Sequence, residues 1–156
     1  MIAIEYLQKA GKNKNYATIL AIKDYDKMKD IISVTPDKIK DAYDSMSSPK
    51  SPNLSGMPGG GHNPSATQDK IISQLDRIDS LKKRYDKAIT YMSWFEPAWA
   101  RLSNDEKLIV KEFYMSGNLR SGATYRLMEA LHYSQRNVDR KRKKAIEHLA
   151  YMLIAE

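Results

Sequence analysis

Apolar residues recur at steps of three and four through most of the chain, which is the period of one face of an α-helix. The longest run lies between residues 67 and 98, where steps of three, four and seven connect Ile71, Ile78, Leu81, Tyr85, Ala88, Met92 and Phe95. Leu75 and Ile89 widen this stripe. The strict alternation typical of strands does not appear in the sequence, so the pattern predicts an all-α protein.

Breaks in this periodicity divide the chain into four regions. Residues 47–66 are rich in proline, glycine and serine and have almost nothing to bury, which predicts a linker. Residues 1–46 predict an N-terminal helical region of two or three short helices. After the linker we expect a long amphipathic helix over residues 67–98 and a C-terminal helix-turn-helix unit over residues 99–156.

Two prolines mark expected helix boundaries. Thr35 followed by Pro36 has the arrangement of an N-cap and a first helical position, which predicts that a new helix begins there. Pro97 is expected to end or kink the long helix, with Trp94 and Trp99 anchoring the junction to the next unit.

The seven-residue recurrence in the long helix has two interpretations. It predicts packing along another helix, either within the chain or across a homodimer. The run is shorter than the sustained heptads of a coiled coil, so an amphipathic core helix is the alternative.

The last third of the chain predicts three helices. Ser103 and Glu106 have the spacing of a capping box, in which each residue satisfies a free backbone N–H at a helix start. A short helix with Leu127 and Leu131 facing inward follows, then a corner at residues 132–134 and a long final helix.

That final helix is two-sided in its sequence pattern. Val138, Ala145 and Leu149 line one side, while the other side carries mostly positive charge. A solvated face normally mixes both signs of charge. A short helix, a corner and a cationic second helix have the layout of a helix-turn-helix, whose second helix enters the DNA major groove.

The exposed positions of this helix and its cap are the candidate DNA-binding residues. Arginine bonds guanine and glutamine bonds adenine in bidentate fashion, each good pair giving about 1–3 kcal/mol of discrimination. Lys141, Arg142 and Lys144 suit phosphates, which position a protein without reading sequence. The predicted DNA-binding residues are Ser134, Gln135, Arg136, Asn137, Asp139, Arg140, Lys141, Lys143 and Lys144.

Taken together, LSNDEKLIVKEFY (residues 102–114) and LMEALHYSQRNVDRKRKKAIEHL (residues 127–149) resemble the region-4 helix-turn-helix of sigma-70-type factors. Within that group they are similar to phage-encoded RinA/ArpU-type late transcriptional regulators. The resemblance rests on Leu102, Ser103, Glu106, Phe113, Tyr114, Tyr133, Ser134, Val138, Arg140, Ala145 and Leu149. It implies double-stranded DNA as partner, contact with host RNA polymerase, and action in the bacterial host cytoplasm.

Two positions depart from the pattern of those regulators. His132 stands where they have a turn glycine, and Met128 where they have a small alanine that lets the helices approach. A motif altered in this way leaves open the binding of a protein in place of DNA.

Composition narrows the function classes. The net charge of +7 and the pI near 9.4 favour a polyanionic partner. The absence of cysteine excludes thiolate catalysis and cysteine-ligated metals, and His62, His132 and His148 are too scattered for a metal motif. We therefore expect no enzyme activity, no cofactor and no metal. No stretch reaches 18 apolar residues, so neither export nor a membrane span is expected.

Two alternatives to a transcriptional regulator stay open on the sequence alone. One is a phage DNA-packaging protein similar to a small terminase subunit, which pairs a helix-turn-helix with an oligomerising helical region. The other is a helical interaction module that uses the basic helix on an acidic protein partner.

Overall fold

A computed structural model describes residues 1–47, 64–115 and 121–154. Those ranges contain six α-helices and no strand, so the predicted all-α class is confirmed. The helices are α1 (Ile2–Lys9), α2 (Lys14–Ser47), α3 (Pro64–Ala100), α4 (Asn104–Val110), α5 (Ala123–Leu131) and α6 (Gln135–Ile154), with a short π-helical segment, Lys111–Met115, directly after α4. Residues 48–63, most of the predicted linker, lie outside the described ranges.

Pro36 and Pro97 both lie inside helices. The predicted N-cap at Thr35 is wrong, because α2 runs through Pro36 as one helix of 34 residues and Thr35 is only 3% exposed. An interior proline removes one backbone hydrogen bond, at a cost of about 3 kcal/mol. Packing outweighs that cost here, since α2 buries side chains such as Met28 and Ala42 on both sides of the proline. Pro97 lies within α3, which ends three residues later at Ala100.

The chain forms two compact units. One combines Met1–Lys29 with Ile89–Glu156, and the other is Asp30–Ala88. The predicted region boundaries after residues 46, 66 and 98 stay predictions. In the second unit the predicted apolar stripe is only partly covered, because Ile78 is 1% exposed whereas Ile71 and Leu75 are 38% and 45% exposed.

The core of the first unit is built around a row of aromatic rings on α3. Tyr91, Phe95 and Trp99 stack in sequence at centroid separations of 5.4 and 6.0 Å. The buried Tyr91 hydroxyl donates a hydrogen bond to the backbone carbonyl of Ala21 in α2. The chain ends therefore share one core, in which α1 and the first half of α2 pack with α3.

Helix α3 also anchors the end of α6. The Trp94 indole Nε1 donates to the Leu153 carbonyl at 3.3 Å, and Leu149, Leu153 and Ile154 are all buried. The first half of α6 packs on a second cluster, formed with α4, the π-helical segment and α5. Its members are Ile109, Phe113, Ala123, Leu127 and Val138. These two clusters fix both the position and the rotation of α6.

Candidate nucleic-acid interface

The chain turns sharply between α5 and α6. Helix α5 ends at Leu131, and His132 adopts a left-handed conformation with φ 54° and ψ 37°. The Ser134 hydroxyl then accepts a hydrogen bond from the Asn137 backbone N–H at 3.3 Å, which satisfies one free donor at the start of α6. The left-handed conformation costs energy for any residue with a β-carbon. The backbone at position 132 therefore favours glycine, which is the residue that the RinA/ArpU-type regulators have there.

The start of α4 is fixed by the predicted capping box. The Ser103 N–H donates to the Glu106 carboxylate at 2.8 Å, and the Glu106 N–H donates to the Ser103 hydroxyl at 3.2 Å. Glu106 also lies 3.1 Å from Nδ1 of His148 on α6. Partial burial alone would raise the pKa of Glu106, but the Ser103 backbone bond and His148 outweigh it and hold that pKa below its ordinary value.

A second link joins α4 to the corner before α6. The Tyr133 hydroxyl donates to the Asp105 carboxylate at 2.9 Å, and this bond raises the pKa of Tyr133 above its ordinary value. The Lys141 ammonium lies 5.8 Å from the centre of the Tyr133 ring. With Glu106 and His148, these contacts tie the first turn of α4 to α6 at two points. Sequence reasoning missed both links, because the partners are 28 and 42 residues apart and carry no local signal.

One side of α6 is buried, as its spacing predicts. Val138, Ala145 and Leu149 are each 0% exposed, and the helix packs on α4 and α5. Arg142 follows Val138 by one helical turn and lies on the same side. Its guanidinium is 4.6 Å from the centre of the Phe113 ring and 3.8 Å from the Asp139 carboxylate. Its side chain is 29% exposed, and the phosphate contact expected of it stays a prediction.

Most of the predicted DNA-binding residues lie on the opposite side of α6 and its cap, whereas Lys141 lies beside Tyr133 and α4. Ser134, Gln135, Arg136, Asp139, Arg140, Lys143 and Lys144 are exposed, whereas Asn137 and Lys141 are half-buried. Of the carboxylates in the described ranges, none lies within 4 Å of Arg136, Lys143 or Lys144. Lys141 and Lys144 share a pocket with Asp105 and Glu106 of α4. The positive charge without a carboxylate partner in the described ranges is therefore clearest at Arg136, Arg140 and Lys143.

The first turn of this surface carries a preset hydrogen bond. A guanidinium nitrogen of Arg140 donates to the Asn137 side-chain oxygen at 2.9 Å. Ser134, Arg136, Asn137 and Arg140 together line a shallow depression. The Asn137 contact holds the Arg140 guanidinium in one direction, and no other described residue accepts a hydrogen bond from its remaining N–H groups. Such a planar donor fork matches a guanine edge or a phosphate.

Sequence reasoning also missed two features beneath this surface. A π-helical segment, Lys111–Met115, follows α4 where a regular helix end was expected, and it places Phe113 under Arg142. The Arg126 side chain donates to Glu112 at 2.8 Å, which fastens α5 to that segment. A π-turn differs from an α-turn by a single inserted residue, so periodicity over so short a stretch does not reveal it.

The described parts of the chain contain no group of three or more His, Asp or Glu side chains arranged to hold a metal ion. Among the described helices, none has an apolar stretch long enough to cross a membrane. No protein-family model, no curated protein and no solved structure matches this chain. The chemistry of α6 and its surroundings is therefore the basis for a functional assignment.

Proposed function

We propose that this protein binds double-stranded DNA through α6, which enters the major groove with its first two turns, and that it regulates transcription as phage-encoded RinA/ArpU-type proteins do. The observation that carries the proposal is the outward side of α6. Arg136, Arg140, Lys143 and Lys144 are exposed there, directly after a sharp turn and opposite a fully buried stripe. It would act in the cytoplasm of a bacterial host, with RNA polymerase as a second partner.

Electrostatics favours an anionic polymer as the ligand of this side. Like charges three and four residues apart repel and lower helix stability. Arg136, Arg140 and Lys144 are spaced by four residues on the exposed side, and Lys143 follows Arg140 by three. Regularly spaced phosphates relieve that repulsion and release counterions, which makes binding tight at low salt and steeply salt-dependent.

Shape favours DNA over an unstructured polyanion. Helix α6 has 20 residues, so it is about 30 Å long, and contacts at both ends hold it rigidly. An α-helix with its side chains is about 10–12 Å in diameter, so it fits the major groove, which is about 12 Å wide. The donor fork of Arg140, held by Asn137, suits a base edge at the groove floor, while the lysines further along suit phosphates.

The test is a fluorescence-anisotropy titration with duplexes selected from a random pool, repeated over a range of salt concentrations. The wild type is expected to bind with affinity that falls steeply as salt rises. The double variant Arg136→Ala with Arg140→Ala is expected to lose about 2 kcal/mol or more, which is roughly 30-fold in affinity. Wild-type affinity that does not change with salt would refute the proposal.

A matched control removes the same charge elsewhere in the first unit. Lys27 and Lys29 are exposed on α2 and lie about 20 Å along that helix from Lys14. The variant Lys27→Ala with Lys29→Ala is expected to bind selected duplexes as the wild type does. An equal loss of affinity in both double variants would mean that net charge, and not the α6 surface, drives binding.

The partial exposure of α3 favours self-association as part of this function. Ile71, Ile72 and Leu75 are 38%, 56% and 45% exposed along one stretch of the helix. A dimeric regulator and a packaging ring would both use such a stretch. The mass of the protein in solution distinguishes them. A monomer or dimer fits the regulator, whereas a ring of eight or more subunits would favour a packaging protein and overturn the proposed regulatory function.

A further inference from the structure

A groove runs along α6 where the start of α2 approaches it. Asn15 and Ile19 of α2 line one part of the groove with Lys143 and Ile146 of α6. Lys14 and Asn15 line the adjoining part with Glu147, Ala150 and Tyr151. The start of α2 thus lies beside the second half of α6, although the two segments are more than a hundred residues apart in sequence.

This neighbourhood adds positive charge to the outward side of α6. Lys12, Lys14 and Lys143 are all exposed, and in the described chain no carboxylate lies within 4 Å of them. The acids of the groove are Asp139, whose carboxylate is 3.8 Å from Arg142, and the exposed Glu147. Lys14 lines the groove, and Lys12 lies two residues before it in the turn between α1 and α2. These two cations therefore lie next to the surface formed by α6 and have no carboxylate partner among the described residues.

The helix geometry places this extension at the border of a bound major groove. Residues 147–151 lie about 10–16 Å beyond Arg140 along the helix axis, at 1.5 Å per residue. The major groove is about 12 Å wide, so a helix whose first two turns occupy it brings this end close to the phosphates that border the groove. Lysines act there as point charges and need no particular base edge.

We propose that the turn before α2, together with the first residue of α2, is a second DNA contact, at which Lys12 and Lys14 bind backbone phosphates beside the groove that α6 enters. The inference rests on the proposed function of α6 and adds a contact that carries no sequence information. It also gives the N-terminal residues a role in binding, because they reach the DNA only when the chain ends are folded into one unit.

The experiment compares Lys12→Ala with Lys14→Ala, as a double variant, against the Lys27→Ala and Lys29→Ala control. Each lost phosphate contact lowers the slope of log affinity against log salt by about 0.9, so the first pair is expected to lower it by about 1.8. The loss of affinity should be equal for selected and random duplexes, since phosphates are the same in both. A slope equal to that of the control would overturn the inference.

A gain-of-affinity variant guards against misfolding as an explanation. Glu147→Gln removes the exposed acid that lines the groove together with Lys14, and it is expected to tighten binding at low salt. Unchanged affinity would contradict phosphates close to this groove. The two proposals fail separately. Salt-independent binding by the wild type would refute both proposals. Steeply salt-dependent binding that requires Arg136 and Arg140 but not Lys12 and Lys14 would refute only the second contact.

Discussion

The left-handed turn at His132 allows a sharp test of the structure. His132 has φ 54° and ψ 37°, is exposed, and makes no hydrogen bond with the described residues. A residue with a β-carbon pays about 1–2 kcal/mol in that conformation. Glycine avoids this cost but loses about 0.5–1 kcal/mol more backbone entropy on folding. His132→Gly is therefore expected to be more stable than His132→Ala by about 0.5–1 kcal/mol.

Two positions earlier, at residue 130, the difference in stability between glycine and alanine should have the opposite sign. Ala130 is exposed and lies within α5, where the conformation is right-handed, so Ala130→Gly is expected to lose about 0.5–1 kcal/mol. Urea unfolding followed by tryptophan fluorescence measures both, because Trp94 and Trp99 lie in the same unit as this turn. Alanine as stable as glycine at position 132 would refute the left-handed turn, and with it the bend that precedes α6.

Two further predictions concern the packing around α6. Leu127→Ala empties a fully buried position and is expected to cost about 2–5 kcal/mol, whereas Tyr125→Ala on the same helix, 75% exposed, should change stability by less than about 0.5 kcal/mol. The lowered pKa of Glu106 stabilises the fold fully above the ordinary value of 4.5, and this contribution is lost as pH falls through the lower folded value. Unfolding free energies at pH 6 and pH 3 should therefore show a larger loss for the wild type than for Glu106→Gln, and equal losses would contradict the His148 and Ser103 contacts.

Local sequence signals were sufficient for the all-α class and for much of the candidate surface. The capping box at Ser103 and Glu106 forms as predicted, because it depends only on residues three positions apart. The buried stripe of α6 follows from helical spacing alone, and the opposite side is exposed for the same reason. The DNA-binding roles assigned to that side stay predictions.

Tertiary packing decided what local signals left open. Thr35 followed by Pro36 predicts a helix start when only the local sequence is considered. In the structure, buried side chains before and after Pro36 stabilise one continuous α2. The contacts that hold α6, from Asp105 to Tyr133 and from Glu106 to His148, join residues far apart in the chain and leave no periodic trace. Folding also placed the start of α2 beside α6. Burial of apolar surface drives that packing, and it is not directional, so the sequence does not show which segments will meet. The sequence by itself determined which side of α6 is apolar and which is charged, and the tertiary structure decided which other residues lie next to the charged side.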